Sequence, residues 1–404
     1  RGNTYLAMRR YTEALTDFDN AIGRVNADHK YYHCKGMAYQ EMKDIPHAIK
    51  MFKKALEINP DYIQSLYHLG LMYHANSQPF EAKRCFERVL SMKSDRRAYE
   101  SRGLVNQDLL YYDLAVEDFS AAIRLAPQYP LNYFHRGRSY LWLGRYREAI
   151  ADFNEAFALG CEDAKIYNAR AMAQKHLNNH ESAIEDLEKA IELDPGNVEY
   201  LFNRSQCSFD LKQFGGAIDD LDKAINQMKT TDKRDKVHQP EAKLYYLRGL
   251  ARFELKEYKE CVHDLKIALR TKPSSSFAHD CYFHIGVSYC RTGKHDKAIP
   301  AFTKAIEHHN SSDNRAFGNI ASYYHERAKT YQHLMQSEDA ISDFSQVIAL
   351  EPNNAYAYFR RAFSYKMLHM FDEAAEDFEK AKALQPDNPN LVVNYKKIHD
   401  VAYI

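Results

Sequence analysis

A small residue returns along this chain at Ala14, Ala48, Ala82, Ala115, Ala149, Ala183, Ala217, Cys261, Ala298, Ala340 and Ala374. The intervals are 34, 34, 33, 34, 34, 34, 44, 37, 42 and 34 residues, and no other feature limits the fold as strongly. A chain with such a period builds one supersecondary unit per period, and each unit buries its apolar face only by stacking on its neighbours. Seven residues after each anchor stands Ala or Val (Ala21, Ala55, Val89, Ala122 and onward to Ala381). Twelve before it stands Gly or another small residue (Gly2, Gly36, Gly70, Gly103, Gly137, Ala171, Ser205, Gly249, Gly286, Ala328, Ala362). Pro60, Pro127, Pro195, Pro273, Pro352 and Pro386 close many units, where a proline ends a helix without losing a needed amide. Eleven units result, the first lacking about six residues. The opening Arg1-Gly2-Asn3 has neither an initiator Met nor a leader, and it reads as the start of a piece of a longer protein.

Each unit carries two amphipathic stretches of about 12–14 residues, joined by a short turn such as Leu143-Gly144-Arg145. Second stretches repeat an aromatic at Phe18, Phe52, Phe86, Phe119, Phe153, Phe302, Phe344 and Phe378; first stretches repeat Tyr32, Tyr99, Tyr133, Tyr167, Tyr245, Tyr282, Tyr324 and Tyr358. Much of the bias of 30 Tyr against one Trp is therefore repeat packing. The spaced set of small, aromatic and Pro residues resembles the tetratricopeptide repeat (TPR) family over nearly the whole chain, most cleanly in LNYFHRGRSYLWLGRYREAIADFNEAFALG from Leu131 to Gly160. The resemblance implies an all-α fold, a right-handed superhelical solenoid of antiparallel helix pairs.

Comparing the units exposes a charge pattern. Eight of them place Arg one residue before the small position and Asp sixteen residues later: Arg1/Asp17, Arg102/Asp118, Arg136/Asp152, Arg170/Asp186, Arg204/Asp220, Arg248/Asp264, Arg327/Asp343 and Arg361/Asp377. The other three carry Lys35/Met51, Leu69/Cys85 and Ile285/Ala301, so Asp is absent wherever Arg is. This co-occurrence predicts an ion pair between the two helices of a repeat, set against the alternative of two independent solvated charges.

Departures from the period divide the chain. Residues 1–225 hold the regular units one to seven, 226–240 a polar insertion, and 241–388 units eight to eleven, with insertions near 271–278 and 308–320. Residues 389–404 read as one more amphipathic helix, either a cap or the start of another repeat.

Composition removes several functional classes. Lys+Arg and Asp+Glu both number 55, which argues against charge-driven binding of nucleic acid or of a membrane surface. No apolar run is long enough to span a bilayer. Seven widely spaced Cys do not form a disulfide framework. P-loop, dinucleotide-binding, HExxH and GxSxG motifs are all missing, so no enzyme, cofactor or metal is expected. His308-His309 on a polar turn read as exposed side chains, and Cys85, Cys207 and Cys261 as core thiols.

Recognition of a protein remains. In the family the first helices form the inner face, and by their place in the frame the inner residues include Tyr67, His68, Phe134, Arg138, Phe202, Asn203, Gln206, Lys243, Tyr246, Phe283, His284, Phe359 and Arg360, with Leu71, His74, His135, His325 and Phe363. An aromatic recurs at one inner station in Tyr67, Phe134, Phe202, Tyr246, Phe283 and Phe359, which suits an extended peptide or a helix in a groove, or packing between adjacent repeats. The carboxylate clamp by which family members bind Hsp70 and Hsp90 tails is incomplete: Asn203 and Lys243 fit, but Asn168, Met172 and Leu247 do not. The resemblance points to a non-catalytic interaction scaffold or adaptor in the cytoplasm, as in assemblies of cilia. Alternatives are an architectural component using its outer face or ends, and the targeting region of an enzyme whose catalytic domain lies elsewhere.

Overall fold

The computed structural model describes residues 1–24, 28–231, 242–311 and 319–386. Over these residues every regular element is a helix, and there are 22. They come in pairs: Gly2–Ala7 (α1) with Tyr11–Arg24 (α2), His29–Glu41 (α3) with Ile45–Ile58 (α4), Ile63–Ala75 (α5) with Pro79–Met92 (α6), and Arg96–Asp108 (α7) with Tyr112–Leu125 (α8). Next are Pro130–Trp142 (α9) with Tyr146–Ala158 (α10), Ala164–His176 (α11) with His180–Leu193 (α12), Val198–Asp210 (α13) with Phe214–Thr231 (α14), and Ala242–Glu254 (α15) with Tyr258–Thr271 (α16). Last come Ala278–Arg291 (α17) with His295–Ser311 (α18), Ile320–His333 (α19) with Ser337–Leu350 (α20), and Ala355–Met367 (α21) with Phe371–Leu384 (α22). Two compact units divide the chain, Arg1–Pro195 with α1 to α12, and Gly196–Ile404 with described helices α13 to α22. Within each, a second helix packs on its own first helix and on the first helix of the next repeat. This is the all-α solenoid of stacked helix pairs that the repeat implies.

Local chemistry sets the helix boundaries. Side chains of Asp28, Asp95, Asp163, Asn197, Asn319 and Asn354 accept a hydrogen bond from the first amides of α3, α7, α11, α13, α19 and α21, satisfying donors that have no helical partner. Between the two helices of every repeat one residue adopts the left-handed conformation. It is Gly only at Gly144 and Gly293; elsewhere it is Arg9, Lys43, Ser77, Leu110, Asn178, Lys212, Lys256, Met335 or His369, with φ between 55° and 64°. The sharp reversal thus tolerates side chains that bear its steric cost.

The core is built from the small-residue stations. Ala48, Ala82, Ala115, Ala149 and Ala183 are fully buried, as are Phe52, Phe86, Phe119 and Phe153. A Cβ added to Gly137 would lie 2.7 Å from the Phe153 ring, and one at Gly36 would lie 2.6 Å from Phe52. Glycine on the first helix is therefore the seat of the aromatic sixteen residues later, and each such ring contributes about 2–3 kcal/mol by leaving water. Clusters bridge repeats: Phe134, Ala149, Phe153 and Ala156 pack with Ile166, Ala169 and Ala173 of the next pair.

Residues 226–231 of the expected polar insertion continue α14, and 232–241 lie outside the described residues. The link near 271–278 joins α16 to α17 and buries Ser275. Residues 312–318 and the expected helix at 389–404 also lie outside the described residues. His308 and His309 are not on an exposed turn, because α18 extends through them. His309 is buried beside Tyr323, and His308 stacks on Tyr282 at 5.2 Å.

Candidate protein-interaction site

One polar node recurs beneath the surface of both units. Arg136 Nε and Nη2 donate to the two carboxylate oxygens of Asp152 at 2.8 and 2.7 Å. The same two-pronged geometry joins Arg1 to Asp17, Arg102 to Asp118, Arg170 to Asp186, Arg204 to Asp220, Arg248 to Asp264, Arg327 to Asp343 and Arg361 to Asp377. Asp264 is fully buried, and Asp118, Asp152, Asp186, Asp220, Asp343 and Asp377 nearly so, whereas Arg1 at the chain start is exposed. Burial pushes the Asp152 carboxyl above the ordinary carboxylate range, and the Arg136 hydrogen bonds pull against it.

The remaining guanidinium nitrogen reaches back one repeat. Nη1 of Arg136, Arg170, Arg327 and Arg361 donates to Ser120, Asn154, Thr303 and Ser345 of the preceding second helix. Arg248 binds Asp222 in the same way, and Lys35, which has no Asp sixteen residues on, binds Asp19. Sequence reading missed this acceptor station because its residues are chemically mixed. Its signal is that Lys53 and Lys266 occupy the station only before Leu69 and Ile285, where no cation follows. Lys53 then sits over the Tyr73 ring at 5.5 Å, and Lys266 donates to the Tyr289 hydroxyl at 2.8 Å.

On the opposite side of this node, the first helices of successive repeats touch directly, α3 with α5, α5 with α7, α7 with α9 and α9 with α11 in one unit, and α13 with α15, α15 with α17 and α17 with α19 in the other. The aromatic station lies here, but its rings are more enclosed than the sequence implies. None of Tyr67, Phe134, Phe202, Tyr246, Phe283 and Phe359 is exposed, and Phe134 is buried at 8%. The cause is the aromatic of the same repeat's second helix: ring centres lie 5.8 Å apart for Tyr67–Phe86, 6.2 Å for Phe134–Phe153, 6.0 Å for Phe283–Phe302 and 5.5 Å for Phe359–Phe378.

A residue three places earlier in the next repeat's frame covers the other side of the ring. Arg97 lies over Tyr67 at 5.3 Å, Lys243 lies over Phe202 at 4.8 Å, and Tyr246 donates to Asp280 at 2.8 Å. Arg97 and Lys243 are exposed while the Tyr67 and Phe202 rings are half-buried; Asp280 is half-buried, and Phe363 of α21 is the expected inner ring that does meet solvent. Tyr67, His68 and Arg97 share a recess of about 340 Å³ with Tyr62 and Lys93, whose rim also carries Asp61 and Asp95.

The histidines of this face differ between the units and within the second, where burial lowers His279 of α17. In the first, His68 stacks on Phe52 at 5.8 Å and meets Gln40, and His135 stacks on Phe119 at 5.5 Å. Burial depresses both, and His33 at 5.6 Å from His68, to about 4, so they are neutral at pH 7. In the second, burial opposes the charge on His284, but Asp280 outweighs it and raises His284. Arg138 lies over Phe134 at 5.6 Å, and Arg360 over Tyr356 at 5.9 Å. Asn203 and Gln206 stand on α13, one and four residues beyond Phe202. Among the described residues no group of three or more His, Cys, Asp or Glu is arranged to hold a metal ion, and no helix is long and apolar enough to cross a membrane.

Comparison with known proteins follows the same lines. The family model of the tetratricopeptide repeat matches residues 29–62, 164–197 and 355–388, and further models of this repeat match 51–84, 132–159, 279–307 and 321–354. Small glutamine-rich tetratricopeptide repeat-containing protein 2 of Saccharomyces cerevisiae is 28% identical over 107 residues, which are 25% of this chain and 31% of that protein. Tetratricopeptide repeat protein 37 of Xenopus laevis is 29% identical over 119 residues, 30% of this chain and 8% of that protein. The chain therefore spans under a third of the first relative and under a tenth of the second. A crystal structure of a tetratricopeptide repeat protein from Parabacteroides merdae ATCC 43184 aligns at 18% identity over 64% of this chain and 98% of that one, with a TM-score of 0.48. With repeat models matching just over half of its length and helix pairs at each match, this chain belongs to the tetratricopeptide repeat family.

Proposed function

We propose that this chain is a non-catalytic scaffold that holds an extended peptide or a helix of a protein partner against its first-helix face. The observation that carries the reading is the recess beside Tyr67, His68 and Arg97, a concavity of about 340 Å³ between the first turns of α5 and α7 and the end of α6. Its aromatic wall offers apolar contact, and Arg97 and Lys93 offer charge, the combination found where a few anchors carry most of the binding energy. Lys243 over Phe202 supplies the same pair of groups in the second unit. The mixed rim of Asp61, Asp95, Lys93 and Arg97 suits a partner of mixed charge better than a uniformly acidic tail.

Affinity capture with the intact chain and with the Arg97→Glu/Lys243→Glu variant tests the reading. Both side chains are exposed, so helix content should be unchanged while recovery of the specific partner drops at least about tenfold, the equivalent of 1.4 kcal/mol. Unchanged recovery by a folded variant would favour assembly through the outer face.

A further inference from the structure

The ninth repeat breaks the polar node at all three of its stations. Where eight repeats place Arg, Asp and usually a preceding acceptor, this one has Ile285, Ala301 and Lys266. Ile285 and Ala301 are buried, and they put apolar side chains where a guanidinium and a carboxylate meet in eight other repeats. Over them lies an open recess of about 660 Å³ between α16 and the α17–α18 pair, within the second unit. Leu269, Ile285, Ala301 and Pro300 line its apolar part, and Tyr282 and Tyr289 form its walls. The ring of Pro300, inside α18, has no amide to donate to the Asp296 carbonyl four residues back.

The mouth of this recess is strongly cationic. Lys266, Arg270, Lys297 and Lys304 stand around it against one carboxylate, Asp296. All four cations are exposed, and among the described residues none makes an ion pair. Lys266 and Lys304 instead lie over the walls, at 5.5 Å from the Tyr289 ring and 5.6 Å from the Tyr282 ring. In a chain whose formal net charge is zero, four cations about an apolar floor form a local field that selects anionic partners.

From this juxtaposition we infer that the recess is a second docking site, for a partner segment that presents a bulky apolar side chain flanked by Asp or Glu. The apolar side chain packs on the floor of Leu269, Ile285, Pro300 and Ala301. The flanking carboxylates meet Lys266, Arg270, Lys297 and Lys304. The volume is ample for one bulky side chain, and the recess is open to solvent, so the flanking residues stay level with the cations. This site lies wholly within the second unit, and its lining shares no residue with the first-helix recess.

The test is selection of short random displayed peptides on the full chain, with the Ile285→Arg/Ala301→Asp variant as counter-target. That variant puts the Arg–Asp pair of eight repeats in place of the apolar floor, and circular dichroism should show its helix content unchanged. Peptides retained by the parent alone should share an apolar residue between acidic ones. A labelled synthetic copy should bind the variant at least about tenfold more weakly, and Lys297→Glu/Lys304→Glu should cause a similar loss with the fold intact. The inference is overturned if no parent-specific peptides emerge, if those that emerge lack acidic residues, or if the synthetic peptide binds both variants as it binds the parent.

Discussion

Arg136 grips Asp152 across one repeat with two nitrogens, at 2.8 and 2.7 Å, and Ser120 of the preceding repeat with the third, at 3.1 Å. A single side chain thus fixes the register of three helices, α8, α9 and α10. Because the Asp152 side chain is only 8% exposed, removing Arg136 leaves a nearly buried carboxylate without its counter-charge. Arg136→Ala should cost about 3 kcal/mol of stability, whereas Arg136→Met/Asp152→Leu, which removes both charges and keeps volume, should cost much less. Urea denaturation of the two variants checks the contrast, and equal losses would mean that the ion pair itself, not the orphaned carboxylate, is the larger contribution.

The left-handed residues between paired helices give a second expectation. Leu110 has φ of 62° and is 69% exposed, so its side chain gains little from packing while its backbone is strained. Leu110→Gly should raise stability by up to about 1 kcal/mol, the steric relief being partly offset by the entropy of glycine in the unfolded chain. Leu110→Val should lower it. Thermal melting of both variants decides the matter, and a stability loss for glycine would show that Leu110 packs in solution.

Acid should weaken the first unit through its neutral histidines. The unfolded chain takes up protons at the ordinary histidine value near 6.5, but folded His33, His68 and His135 do so only near 4. Their contribution is therefore fully present above pH 6.5 and is lost as pH falls through 4. For His135 the difference amounts to about 2 kcal/mol by pH 5. His284 acts in the opposite sense: raised by Asp280, its contribution is present below 6.5 and fades as pH rises through its folded value. Hydrogen exchange at pH 7 and pH 5 should show protection falling in α3, α5 and α9, and less so in α17. His135→Gln should blunt the fall in α9.

How much of this was legible depends on whether a contact lies within one repeat or between two. Helix count and pairing follow from the 34-residue period, because Gly36 and Phe52, or Gly137 and Phe153, recur at one spacing with one chemistry. The acceptor at Ser120, Asn154, Thr303 and Ser345 has one role but several identities, so comparing identities reads it as noise. The cover at Arg97, Lys243 or Asp280 is harder still, since it touches the ring of the preceding repeat and changes its chemistry each time. Exposure misled for the same reason: Phe134 lies on the first-helix face, and the ring of Phe153 beneath it and Arg138 above it enclose it from two sides. The short turn is legible at Gly144, but its left-handed backbone is not, and at Leu110 and Met335 no glycine marks it.

The central claim is that a protein partner lies on the first-helix face. Photo-crosslinking residues placed singly at Arg97, Lys243 and the exposed second-helix position Lys189, followed by mass spectrometry of the adducts, tests it most directly. The account predicts one shared partner crosslinked from Arg97 or Lys243 and not from Lys189. Crosslinks from Lys189 with none from Arg97 or Lys243 would contradict it.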